Sequence, residues 1–393
     1  MMTTKDLPTL EGLRGEIAAA PSFRGIDSSF SRVTQGHAQT ILGHFLPTRD
    51  LHRFPTEQVE LETPDRDRLI GFLSTPDDRK AAGLLHIFHG LAGSSDSFYM
   101  PRAGRAALDL GFAVVLWNHR GCGPGRKMAL EPYHSGRSDD LARTVRWGRE
   151  RFTDPSLVHG VLGYSLSANA ACLLAARVVP ALDTQPLSPA SIEKNLRGSL
   201  PDFAIAINPP LDLRLASVRL SHGPSRIYGQ NFMPALLECL DDRAQWHPEN
   251  ETRAILQNLA VRARKNLRFY SDVGTFDAAY TGPAGGFVDH LDYYARASAG
   301  RYLDQVALPL VILSAADDPI THGFADLDAE TRKRARKHAN IVLDEQRFGG
   351  HMGYVDRATL FSPWKKHARW LENRIEMYLR AFLPRTSKPR GMS

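Results

Sequence analysis

The chain has 393 residues, of which 42% are hydrophobic and 23% charged, and it carries a net charge of +6. This is enough apolar material for a core larger than one ordinary domain, with too little charge for a disordered chain or a strongly nucleic-acid-binding one. Cys122, Cys172 and Cys239 are too scattered for a disulfide framework or a zinc site, and no uncharged apolar stretch reaches the ~20 residues that cross a bilayer as a helix. With no apolar region of signal-peptide length at the start, the expectation is a soluble, cytoplasmic protein with no metal, cofactor or nucleic-acid partner. The sequence does not give an oligomeric state.

Residues 1–55 are mixed and rich in Gly, Pro, Ser and Thr. They lack the periodic apolar residues of a core of their own, so they are expected to wrap the main domain, with a short helix near Gly36–Leu42. From Glu57 the alternation of Val59 and Leu61, then Leu69, Gly71 and Leu73, predicts an antiparallel hairpin. Residues 83–90 form a continuous apolar run of the kind buried on both sheet faces, ending in the small-residue loop His89-Gly90-Leu91-Ala92-Gly93-Ser94. A helix over 98–110, a strand over 112–117, a turning loop at Asn118–Gly125 and a helix over 137–152 follow.

Residues 157–176 read as a buried strand, an abrupt turn at Ser165 and a helix. A strand over 202–208 comes next. The strand-like runs then stop until about residue 307, leaving only helix-compatible stretches at 231–242, 251–266 and 289–303. That is too long for a loop and reads as an inserted helical cap. A strand over 309–314, a helix over 323–337, a strand over 339–343 and a closing helix over 363–382 complete the pattern. Alternating strands and helices imply a mostly parallel sheet flanked by helices. The expected layout is a core of 56–210 and 308–385, a cap of 211–307 and a flexible tail of 386–393.

Gly163-Tyr164-Ser165-Leu166-Ser167 is a Gly-x-Ser-x-Gly elbow whose last glycine is serine, a turn that lifts the serine into a strained, exposed position above a sheet. A serine hydroxyl needs an imidazole to take its proton and a carboxylate to orient that imidazole. Asp317 and His351 lie just past the last two strands, in the order Ser, Asp, His that accompanies this elbow. Asp317 is preferred to Asp318 by its spacing from Ser314; Asp318 is expected to cap the following proline turn. The oxyanion donors are expected to be the N–H groups of Leu166, at the start of the elbow helix, and Leu91, in the loop after the third strand. His37 with His44, and His86 with His89, have spacings that a metal could use but lack the acidic or cysteine partners that would support one.

With these residues placed, the chain resembles the α/β-hydrolase superfamily, and within it the YheT-like branch that includes abhydrolase-domain lipases of eukaryotes. The likeness covers most of residues 35–385. It is carried by Gly36-His37-Ala38-Gln39-Thr40, the His89-Gly90-Leu91 loop, Asn118-His119-Arg120-Gly121-Cys122, Tyr133-His134-Ser135-Gly136, the elbow, Thr275–Asp277 through Tyr293-Tyr294, Ala315–Pro319 and Gly350-His351-Met352-Gly353. The resemblance implies the α/β-hydrolase fold and a Ser-His-Asp esterase or lipase acting on small carboxylic esters, often with lipid-like acyl groups. The chain departs from it at Ser167 and Ala168, where relatives usually have Gly-Gly.

Two rivals are weighed. Related branches carry a His-x4-Asp signature of acyl transfer, matched here at His134–Asp139 and His351–Asp356, and an acyltransferase would use the same acyl-enzyme. A non-catalytic member of the fold would not need all of these groups. For the substrate, the cap's Phe232, Met233, Leu236, Leu237, Phe276, Tyr280, Phe287, Tyr293 and Tyr294 could roof an apolar pocket, although most are assigned to packing of cap on core. Short to medium apolar acyl esters are the expected substrates.

Overall fold

The computed structural model describes residues 10–26, 31–46, 54–76, 80–179, 198–266, 269–270, 272–361 and 369–383. The tail expected to be flexible, and much of the proline-rich stretch after residue 179, lie outside the described residues. Eight strands form one sheet: β1 (Glu57–Glu62), β2 (Arg68–Ser74), β3 (Gly83–Phe88), β4 (Phe112–Trp117), β5 (Val158–Tyr164), β6 (Phe203–Ile207), β7 (Leu310–Ala315) and β8 (Ile341–Gln346). Their order is β1-β2-β4-β3-β5-β6-β7-β8. β1 and β2 are the expected hairpin, with Val59 opposite Gly71, and β2 runs antiparallel to β4. Every pair from β4 to β8 is parallel.

β3, β4, β5 and β6 are buried at every residue, as continuous apolar runs require when both sheet faces are covered. One face packs on α3 (Tyr99–Asp109) and the closing helix Trp370–Ala381, where Phe203 stacks on Phe382 at 4.1 Å between ring centres. The other packs on α4 (Ser138–Arg151) and α5 (Leu166–Ala175). Gly160 is needed at the centre, since a Cβ there would sit 2.2 Å from the Phe203 ring.

Two N-terminal helices precede the sheet, α1 (Leu10–Ala19), which no pattern had signalled, and α2 (Arg32–Phe45), longer than expected. Between β6 and β7 the chain is helical. Residues Leu213–Ser221 and Val273–Phe276 form helices with no clear apolar signature, while Arg226–Trp246 and Asn250–Lys265 match the first two expected stretches and the third, 289–303, splits into the helix His290–Ala297 and a 3-10 segment Ala299–Gln305. A wide π turn, Asp277–Thr281, turns its buried Asp277 and Tyr280 toward the space above the sheet. Among the described residues no helix is long and apolar enough to cross a membrane.

Candidate active site

The site grows from the end of β5. Ser165 has φ 52° and ψ −115°, a conformation disfavoured for any residue with a side chain, and its N–H is tied to the Ile207 carbonyl at 2.9 Å. The turn is so tight that a Cβ on Gly163 would lie 2.3 Å from the Ser167 carbonyl oxygen. Ser165 is 8% exposed, so its hydroxyl faces an enclosed space rather than bulk water.

His351 reaches Ser165 from the loop after β8. Its Nε2 lies 2.9 Å from Ser165 Oγ, and its Nδ1 lies 2.8 Å from Asp318 Oδ2. The proton therefore belongs on Nδ1, donated to the carboxylate, which leaves Nε2 to accept from the serine. The expected acid, Asp317, is not the one on the imidazole. β7 runs one residue further than expected, to Ala315 paired with Gln346, and in the turn after it Asp318, held by the Ile320 and Thr321 amides, is the carboxylate that faces His351. Asp317 instead accepts the Gly350 N–H through Oδ1 at 2.8 Å, and its Oδ2 is buried without a partner among the described residues.

The two neighbouring carboxyls are shifted in opposite directions. Burial drives Asp318 upward, but the attraction and hydrogen bond of His351, with the Thr321 and Ile320 amides, outweigh it and hold the carboxyl at about 2. The Asn208 amide and the Thr321 hydroxyl also donate to Asp318 Oδ2, at 2.9 and 2.8 Å. Asp318 thus caps its turn, as expected, and holds the histidine as well. Burial pushes Asp317 up to about 6, with the Gly350 amide opposing and the Asp318 charge reinforcing the shift.

The N-terminal segment does more than wrap the core. α2 lays Gly36 so close to the acid loop that a Cβ would lie 1.9 Å from the Asp317 carbonyl oxygen. Thr40 Oγ1 accepts the His351 N–H at 2.8 Å, and the Gln39 amide bonds the Val355 backbone on both sides, at 2.8 and 2.5 Å. His37 stacks on Tyr228 of the cap and bonds its hydroxyl at 2.8 Å, while His44 packs edge-on against Phe98. Neither histidine is arranged as a metal ligand, and among the described residues no cluster could hold a metal. Sequence reasoning missed this brace; its signal was the glycine at 36 and the Gln39-Thr40 pair beside it.

Leu91 and Leu166 both border the space in front of Ser165. The amides flanking Leu91 are engaged, Gly90 N–H donating to Tyr99 Oη at 2.9 Å and Ala92 N–H to Tyr133 Oη at 3.0 Å. Beneath this loop lies a layer of neutral histidines. The His119 N–H donates to His89 Nε2 at 3.1 Å, so His89 carries its proton on Nδ1 and donates it to the Gly90 carbonyl at 2.8 Å. Burial lowers His89 well below the usual histidine range and takes His119 to about 4. Ser167, the departure in the elbow, bridges the two: its hydroxyl donates to the His89 carbonyl and lies 2.6 Å from His119 Nε2. The serine thus ties the elbow helix to the Leu91 loop rather than merely crowding it.

Arg120 is fully buried and saturated. Asp140 binds it through two bonds of 2.7 Å, and Asp67 and Asp65 through one each, of 2.7 and 2.5 Å. These pairs pin the loop after β4 to the hairpin and to α4. Asn169 of α5 similarly donates to the Ser135 and Ala297 carbonyls, joining the Tyr133–Gly136 loop to the cap.

The space above Ser165 is walled about equally by the cap and by the core loops. Of the nine apolar cap residues singled out, six line it: Phe232, Leu236, Phe276, Tyr280, Tyr293 and Tyr294. Met233 and Leu237 pack inside the cap and Phe287 lies against Tyr293 and His134, so fewer serve packing alone than expected. On the cap side the polar groups include Ser217, Asp242 and Thr281, together with Asp277, which burial pushes up to about 6 while the Thr281 and Tyr294 hydroxyls oppose the rise, and Arg243, whose Nη1 donates to Tyr280 Oη at 2.6 Å.

Residues 83–186 match a protein family described as having the α/β hydrolase fold. The chain is 28% identical to the putative esterase YheT of Escherichia coli over 88% of its own length and 91% of that protein. It is 26% identical to a monoacylglycerol lipase of Saccharomyces cerevisiae over 71% of its length and 58% of the yeast protein, and 21% identical to phospholipase ABHD3 of Bos taurus over 93% and 85%. With its sheet order and its inserted helices, the chain has the α/β-hydrolase fold, and it is similar to proteins of the YheT-like branch.

Proposed function

We propose that the chain is a serine carboxylic-ester hydrolase working through an acyl-enzyme, with Ser165 as nucleophile, His351 as base and Asp318 as the acid that orients it. The observation that carries this reading is the unbroken chain from Ser165 Oγ through His351 to Asp318 at 2.9 and 2.8 Å, starting from a strained elbow. Ser165 Oγ attacks the ester carbonyl as His351 Nε2 takes its proton, and the ionised Asp318 stabilises the imidazolium. The N–H groups of Leu91 and Leu166 receive the oxyanion, each such donor contributing ~3 to 4 kcal/mol to lowering the barrier. His351 then protonates the departing alcohol, and water, activated by the same base, releases the acid. The relatives named as an esterase and a monoacylglycerol lipase support the ester as substrate.

The apolar cap wall favours short to medium acyl chains. A nitrophenyl ester series should give rates that peak within that range and vanish in Ser165→Ala. Equal rates at every chain length would defeat the pocket argument. The acyl-transfer signature finds no support in the geometry. His134 accepts the Gly136 N–H at 3.1 Å while Asp139 faces Arg137, Arg120 and Arg143, and Asp356 caps the turn at Thr359. Hydrolysis should therefore persist at high alcohol concentration without a transfer product.

A further inference from the structure

Two arginines border the same cavity and are treated in opposite ways. Arg120 is surrounded by carboxylates; Arg243, on the cap helix Arg226–Trp246, has none within ion-pair distance among the described residues. Yet Arg243 is only 9% exposed, and its Nε is buried without a hydrogen-bond partner among the described residues. Its adjacent Asp242 is committed to Arg126 at 2.7 Å, and Glu131, also on the cavity wall, pairs with Arg137 at 3.4 Å. The guanidinium is held in place by its bond to Tyr280 Oη and lies 5.4 Å from the centre of that ring.

Enclosing a guanidinium without an anion is costly, because neither water nor a counter-charge replaces its hydration. Arg102, Arg120 and Arg374, also buried, each lie within 2.8 Å of a carboxylate, so the lack of one sets Arg243 apart from them, whereas an Nε without a hydrogen-bond partner it shares with Arg102 and Arg149. A planar fork with free donors, fixed at the wall of a cavity, is suited to a carboxylate or a phosphate. Apolar residues, among them Leu236 and Phe232, line the same cavity as Ser165 and Arg243.

Building on the proposed esterase activity, we propose that Arg243 forms an anion subsite, and that the preferred substrate is an ester bearing an anionic oxygen group at the end remote from its scissile carbonyl. The anion is carried either on the acyl chain, as in a half-ester of a dicarboxylic acid, or on the alcohol, as in an alkyl phosphate. Arg243 is a specificity residue and touches no reacting atom.

The test compares two pairs of esters on the full chain: the mono-nitrophenyl ester of adipic acid against its neutral isostere nitrophenyl hexanoate, and the butyrate ester of 4-hydroxybutyl phosphate against butyl butyrate. In wild type, one anionic ester should exceed its neutral partner by about tenfold or more in kcat/KM, the scale of a charge-assisted hydrogen bond, and which one does so tells the side on which the anion is carried. In Arg243→Gln that ratio should fall to about one, with Arg243→Lys intermediate. Wild type that treats both anionic esters no better than their neutral partners overturns the subsite, whatever the variants do. So does a ratio that Arg243→Gln leaves unchanged. Hydrolysis of nitrophenyl hexanoate that survives Ser165→Ala would instead overturn the catalytic reading, so the two failures are distinct.

Discussion

The core side and the cap side of the cavity are built on different terms. On the core side the groups around Ser165 are paired before any ligand arrives: Asp318 takes His351, Asn208 and Thr321, Ser167 bridges His89 and His119, and Arg120 is held by aspartates, while Asp317 Oδ2 and His119 Nδ1 are left without a partner among the described residues. On the cap side Asp277 is buried and shifted upward, and Arg243 has a donor without a partner among the described residues. A preorganised environment lowers a barrier because it need not rearrange as charge develops. A wall with open valences recognises what is brought to it. The difference fits the proposed reading, with chemistry at the strand ends and selection in the helices between β6 and β7.

The strongest way to break that division is to remove the nucleophile. Ser165→Ala should lower kcat for a nitrophenyl ester by about 10⁴ to 10⁶-fold, measured by steady-state hydrolysis with the fold checked by circular dichroism. Next in size is the contrast between neighbouring acids. Asp318→Asn should lose about 10³ to 10⁴-fold in kcat, because the imidazole is then held in the wrong tautomer, while Asp317→Asn should stay within a few-fold of wild type. Reversed ranks would return the acid to Asp317.

Gly36→Ala should cost about 1 to 3 kcal/mol in urea unfolding and lower kcat as well, since its methyl group must displace either α2 or the acid loop. A loss of stability with kcat intact would reduce α2 to a wrapping element. The smallest effect is a pH dependence. Asp317 has a folded pKa of about 6 against 3.8 for the free group, so between these values the unfolded chain loses its proton while the folded chain keeps it. Stability contributed by this group therefore falls as pH rises from about 4 to 6. Asp317→Asn should be more stable than wild type by about 1 to 2 kcal/mol above pH 6, and the gap should close near pH 4.

Much of the core side was legible from the chain. Continuous apolar runs gave β3 to β7, and the tight turn at Ser165, the glycines around His351 and the order of the groups singled out the serine and histidine that the structure brings to 2.9 Å. The choice between Asp317 and Asp318 was beyond that reasoning, because it rests on which carboxyl the turn amides of Ile320 and Thr321 hold toward the imidazole and which the Gly350 amide draws away. The brace of α2 was hidden for a different reason. Its residues act across more than 300 positions of sequence, as Thr40 does on His351, and no local pattern reports such a contact. Arg243 could not be singled out either, since one arginine on a helix is ordinary until its burial and its lack of a carboxylate are seen together.

The central claim is that Ser165 is the acylated nucleophile, and covalent trapping tests it most directly. Wild type treated with a fluorophosphonate should gain the mass of one adduct, carried by the peptide that contains Ser165, and Ser165→Ala should gain none. Undiminished labelling of Ser165→Ala, or an adduct on another peptide, would contradict the account.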